Sequence, residues 1–249
     1  MMNNMTDTVK QLLIINVLFF IGSYFVPQAN ELLSLHYFEN DGFKFWQPIT
    51  HMFMHGSLMH IFFNMFALIS FGSALEHFWG AKKFLFFYFS CGIGAALVHS
   101  GVNYYYFHDA QNMLLQNGVS MADIQTLIKG ESININAPDT VLLQQYVNQM
   151  GDAFNTQAVG ASGAIYGLLV AFAFMFPNAE LGFMFIPVPV KAKYFVPVIV
   201  LLDLFSGVTG YSIFGGNIAH FAHVGGALIG FIMMWYWKKN QFDKNRWDR

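Results

Sequence analysis

Charged residues are scarce in this chain: 12 Lys and Arg with 14 Asp and Glu make up only 10% of its 249 residues. Soluble domains carry about 25%, so an ordinary water-facing surface is excluded. The net charge of −2 provides no basic stripe, which excludes a nucleic-acid partner. A single cysteine, Cys91, lies in an apolar stretch and excludes an internal disulfide. Internal repeats are missing, and no pair of broken apolar segments marks a transporter. No small-residue cleavage site follows the first apolar run, so residues 11–27 read as a retained span rather than a signal peptide.

What the chain does have is apolar and aromatic surface, at 55% and 18% of its residues. Six apolar stretches approach the length that crosses the roughly 30 Å hydrocarbon layer. They lie near residues 11–27, 56–76, 83–103, 162–177, 194–209 and 218–237. With the N-terminus in the cytoplasm, Lys10, Lys82, Lys83, Lys191, Lys193, Lys238, Lys239, Lys244, Arg246 and Arg249 all fall inside, against Lys44 and Lys129 outside. This positive-inside bias fits an even number of spans with both termini cytoplasmic. The expected organisation is a cytoplasmic tail at 1–10, a six-span domain at 11–237 and a basic cytoplasmic tail at 238–249. A polar insertion at about 104–157 interrupts the domain on the outer side. Segments such as TVLLQQYVNQM there have helical periodicity, so one or two amphipathic helices are expected.

Polar groups inside such spans are costly unless satisfied or hydrated, and they mark function. The octapeptide GASGAIYG (160–167) places Ser162 at the head of the fourth span, and AHVGG places His223 in the sixth. Counting up from the inner boundary at 1.5 Å per residue puts Ser162 and His223 each about 22 Å high. His60 and Asn64, on the second span, come out at roughly 24 and 18 Å, in the same layer. The fourth span, about 16 residues, covers only roughly 24 Å, so its N-terminal amides need protein or a wet cavity above them.

On its own, GASG is more often a packing surface than an active site, because Gly163 and Gly167 have small-xxx-small spacing. The functional alternative is a nucleophile flanked by Gly160 and Gly163, which permit close backbone approach. A serine needs a base, and His223 is the candidate. Gly226 and Gly230 follow it and would let the sixth span pack against the fourth. His220 is a competitor that reads as a pocket-lining or hydrogen-bonding histidine. His60 and Asn64, at i and i+4, present two donors on one helix face for an oxyanion. His51 and His55 read as satisfying loop carbonyls. Asp203 reads as holding the end of the fifth span or a loop amide, with a triad role as the alternative. Glu76, His77 and the Trp79–Gly80 turn read as interfacial anchors.

Three segments together resemble the rhomboid intramembrane serine proteases: FWQPITHMFMHGSLMHIFFN (45–64), GASGAIYG (160–167) and AHVGGALIG (222–230), in the family's order. The resemblance implies an all-α bundle of six transmembrane helices. It also implies a serine endopeptidase that cuts transmembrane-helix substrates near the outer face, within the lipid bilayer, without cofactor or metal. Under it Ser162 corresponds to the nucleophile and His223 to the general base. His60, Asn64 and the Ser162 amide match the oxyanion group. Tyr166 matches an aromatic packed under the histidine, and His55 a histidine with a structural hydrogen bond. Small residues at the cut site and helix breakers nearby are implied for the substrate. Gln47 stands where many members have arginine, a change that falls on the anchoring of the external loop. The glycine-rich stretch at Gly207–Gly216 corresponds to the family's cap over the site. The family works with a Ser–His dyad, which counts against Asp203 as a third member. A bacterial inner membrane suits the positive-inside pattern.

Two other readings stand beside it. One is a non-catalytic rhomboid-like protein that binds membrane helices, against which the presence of both Ser162 and His223 speaks. The other is a membrane metalloenzyme using His51-x3-His55 and His220-x2-His223, against which the lack of matching carboxylates and of an HxxHH-type box speaks.

Overall fold

A computed structural model describes residues 5–131, 140–183, 186–211 and 219–240. Helix α1 (Asp7–Phe25) leads to two short helices, α2 (Gln28–Leu33) and α3 (Gln47–Thr50), in a long external loop. Next come α4 (Leu58–Ala67), a π-helical turn at Leu68–Gly72 and α5 (Ser73–Trp79), which run on as one 22-residue rod. Helix α6 (Ala81–Gln116) follows the Gly80 turn, then α7 (Met121–Ile128), α8 (Thr140–Asn155) and α9 (Ser162–Met175). An antiparallel hairpin, β1 (Glu180–Phe183) and β2 (Ile186–Lys191), pairs Glu180 with Lys191 and leads to α10 (Ala192–Thr209) and α11 (His220–Asn240).

Four rods among the described residues are long and apolar enough to cross a membrane: Asp7–Phe25, Leu58–Trp79, Ala81–Gln116 and Ala192–Thr209. Helix α9, with 14 residues, is shorter than the expected span and covers about 21 Å. Helix α11 has 21 residues, enough for about 31 Å. The result is an all-α membrane bundle. Its outward faces carry exposed Leu18, Phe86, Leu201 and Phe231, the surface a bilayer would wet.

The central core joins Val9, Leu68, Leu75, Phe84, Phe87, Tyr88 and Leu168, all fully buried. Helix α9 sits in the middle, packed against α6 and α11. The expected third span ended at 103, but α6 runs unbroken to Gln116. The reason is spacing: Phe107, Ala110 and Leu114, at i, i+3 and i+7, face a second core built with Tyr37, Ile124, Leu143 and Met150. The segment is therefore a small subdomain of α7, α8 and the C-terminal end of α6. Ser120 and Asp123 close a capping box at the start of α7.

Glu76 is not an interfacial anchor. It is buried, and its carboxylate accepts from the Thr6 hydroxyl and from the amides of Thr8 (3.2 Å) and Val9 (3.0 Å). A side chain of α5 thus caps α1 from outside and satisfies amides that a helix start leaves open. Glu76→Ala is expected to destabilise the fold by about 2 kcal/mol or more. A lower melting midpoint in detergent, larger than that of Glu76→Gln, checks this.

The hairpin at 180–191 went unanticipated, and α1 starts inside the tail expected at 1–10. The cap expected at 207–216 and the basic tail fall partly, at 212–218 and 241–249, outside the described residues.

Candidate active site

The segment before Ser162 is fastened to the external loop. Leu35 and Ala158 exchange two backbone bonds of 2.9 Å, and the Gly160 amide donates to the His51 carbonyl at 2.9 Å. Gly160 has φ +122°, a conformation that needs glycine. The chain then turns at Ala161 and enters α9 with Ser162 as its first helical residue. The serine therefore stands at the positive end of a helix dipole, where its own amide is not used by the preceding turn.

The external loop is itself held from within. Gln47 is buried; its Oε1 accepts from the His36 amide at 3.2 Å, and its Nε2 donates to the Gly42 carbonyl at 2.9 Å. A glutamine side chain thus ties the loop to itself from both ends of its amide. His51 Nδ1 bonds the Gln47 carbonyl at 2.8 Å, and His55 Nδ1 reaches the Phe53 carbonyl at 3.4 Å. Both serve loop carbonyls, and burial pulls each below the ordinary histidine range, to about 4, so they are neutral at pH 7.

Across the bundle, His223 Nε2 lies 2.8 Å from Ser162 Oγ. Its ring stacks on Tyr166 with centroids 4.3 Å apart and planes inclined by 13°. The approach rests on glycine. A methyl group at Gly226 would fall 1.8 Å from the Gly163 carbonyl oxygen, and one at Gly230 would fall 2.8 Å from Gly167 Cα. Backbone of α11 thus touches backbone of α9, and the packing and functional readings of GASG describe the same residues.

His60 and Asn64 converge on Gly160, two residues before the serine. A Cβ on Gly160 would meet His60 Nε2 at 2.8 Å and Asn64 Nδ2 at 3.6 Å. Asn64 is buried and its Nδ2 has no partner among the described residues, a donor free for an arriving oxyanion. His55 packs edge-on against His60 at 5.0 Å. A small pocket at Ser162 is lined by Ala95, Ala96, Gly163, Ala222, His51 and His99, among others. Gly160→Ala is expected to destabilise the fold by about 1–3 kcal/mol, since φ +122° is strained for alanine and its methyl group meets the His60 ring. A lower melting midpoint in detergent checks it.

Asp203 departs from the role expected first for it and lies where the alternative would have it, beside His223. It does not hold a helix end or a loop amide; it is buried, 2% exposed, at the far side of His223. Its Oδ1 lies 3.2 Å from His223 Nδ1 and 2.6 Å from His220 Nδ1, and its Oδ2 accepts from the Tyr166 hydroxyl. His220 is a hydrogen-bonding histidine, as expected, and shares Asp203 Oδ1 with His223. The two histidine pairs are thus engaged separately, and no group of three or more His, Cys, Asp or Glu among the described residues is arranged to hold a metal.

The bundle of long apolar helices around a short central one, with a serine–histidine contact at its head, is that of a multi-pass membrane protein. The chain belongs to the rhomboid family: the Rhomboid domain matches residues 42–128 and 132–240. It is 26% identical over 240 residues to the human presenilin-associated rhomboid-like protein, mitochondrial, covering 94% of this chain and 49% of that protein. It is also 26% identical over 187 residues to rhomboid protein 1, mitochondrial, of Saccharomyces cerevisiae, covering 75% and 40%. An uncharacterized mitochondrial rhomboid protein of Schizosaccharomyces pombe is 26% identical over 211 residues, covering 79% and 52%. The chain spans about half the length of these relatives or less.

Proposed function

We propose that this protein is an intramembrane serine endopeptidase that cleaves transmembrane-helix substrates near the outer membrane face. The observation that carries the reading is the 2.8 Å contact between Ser162 Oγ and His223 Nε2 at the head of α9. Ser162 attacks the scissile carbonyl while His223 takes the hydroxyl proton. The electron pair of the carbonyl moves to oxygen, where His60, Asn64 and the Ser162 amide donate to it. His223 returns the proton to the leaving amine as the C–N bond breaks, and water then hydrolyses the acyl-enzyme by the reverse roles. The intact helix of a substrate hides its carbonyls, so local unwinding precedes attack. Alanine and glycine around the pocket leave room for a small side chain at the cut. In this reading the host membrane is a bacterial inner membrane, with the lysine- and arginine-rich segments on the cytoplasmic side.

Reconstitution in proteoliposomes with a fluorogenic transmembrane substrate tests the proposal. Cleavage by the wild type, with fluorophosphonate labelling confined to Ser162, is the expected result. Stoichiometric bound iron or zinc together with no cleavage would sink it.

A further inference from the structure

The carboxylate of Asp203 meets three donors from two other helices, and this pattern carries more than a helix tie. For Nε2 of a neutral His223 to accept the Ser162 proton, the ring proton must sit on Nδ1. Asp203 Oδ1, 3.2 Å from that nitrogen, can bond only the tautomer that has it there. His220 Nδ1 holds the same oxygen at 2.6 Å, and the Tyr166 hydroxyl holds Oδ2, so the carboxylate is gripped at both ends. Tyr166 also stacks on the His223 ring, fixing the plane in which the imidazole turns.

We propose that Asp203 is a positioning residue for His223, extending the Ser162–His223 pair into a relay that His220 and Tyr166 brace. The inference rests on the protease reading above. During attack the Ser162 proton moves to Nε2, the Oγ–C bond forms and the carbonyl pair moves to oxygen. The Nδ1 proton stays on His223, and Asp203 stays a carboxylate. Its negative charge then faces the imidazolium in a buried site where an uncompensated cation is costly. When Nε2 protonates the leaving amine, the ring returns to the same tautomer, ready to activate water.

A purely structural tie between α9, α10 and α11 would affect stability and substrate binding as readily as turnover. The test therefore separates kcat from KM, on the full chain in proteoliposomes, for wild type, Ser162→Ala and Asp203→Asn, with melting midpoints recorded for each. The expected result is a kcat for Asp203→Asn at least tenfold, and about 10²-fold, below wild type, with KM within about threefold. Fluorophosphonate labelling of Ser162 should slow in parallel. A folded Asp203→Asn that keeps more than a tenth of the wild-type kcat overturns the inference. Should that variant fail to fold, Tyr166→Phe decides, since it keeps the stacked ring and removes the hydroxyl from Oδ2. A kcat at least threefold lower at constant KM supports the relay, and a smaller change overturns it. Failure of the relay leaves wild-type cleavage and the loss in Ser162→Ala intact. A wild type that does not cleave refutes the protease reading itself.

Discussion

Ser162→Ala is expected to reduce cleavage of a transmembrane substrate by about 10³-fold or more, to background. The substitution removes one oxygen and little volume, so α9 should pack as before. What goes is the hydroxyl that His223 Nε2 faces at 2.8 Å, the nucleophile of the proposed reaction. His223→Ala should reach the same floor, because a serine without its base is a weak nucleophile. The double variant should then be no slower than either single one, since the two groups act as a unit. Turnover in proteoliposomes and loss of fluorophosphonate labelling measure this. Cleavage undiminished in either single variant would refute the assignment.

The second large effect is expected at Gly226. A methyl group there falls 1.8 Å from the Gly163 carbonyl oxygen and 2.6 Å from its carbon. Both are backbone atoms, so no rotamer change relieves the overlap, and α11 has to move away from α9. Relief to a contact of about 3.5 Å needs a shift beyond 1 Å. His223 sits three residues earlier on the same helix, and a 1 Å misplacement of a reacting group costs about 10²-fold. Gly226→Ala should therefore lose about 10²-fold in turnover and about 3 kcal/mol in stability. Gly101→Ala, where nothing lies within 4 Å, is the control and should melt at or above wild type. A Gly226→Ala protein as active as that control would show that the helices separate without harm.

These two sites also show what sequence can reveal. Ser162, His223 and the glycines stood out because each sits in a short small-residue motif of its own, GASGAIYG and AHVGG. Counting residues up each span put them at one depth, which is a property of sequence. Asp203 was legible only as an alternative: it is a lone acid in an apolar helix, and its partners come from the packing of α10 against α9 and α11. No spacing rule links residue 203 to residues 166 and 223. Glu76 misled for the same reason, since its partners are 67 to 70 residues away. The end of α6 misled differently. Residues 104–116 are too polar to read as membrane, yet the periodicity of Phe107, Ala110 and Leu114 continues the helix into the second core. The hairpin was hidden by Pro187 and Pro189, residues that argue against a strand interior.

The length of α6 has a mechanical meaning. Its 36 residues form one rod of about 54 Å, well beyond the roughly 30 Å of hydrocarbon. Its upper end is embedded in the subdomain of α7 and α8, and its middle supplies Ala95, Ala96 and His99 to the pocket beside Ser162. One continuous helix thus joins the second core and the wall of the pocket beside Ser162, with no break between them to absorb a change in angle.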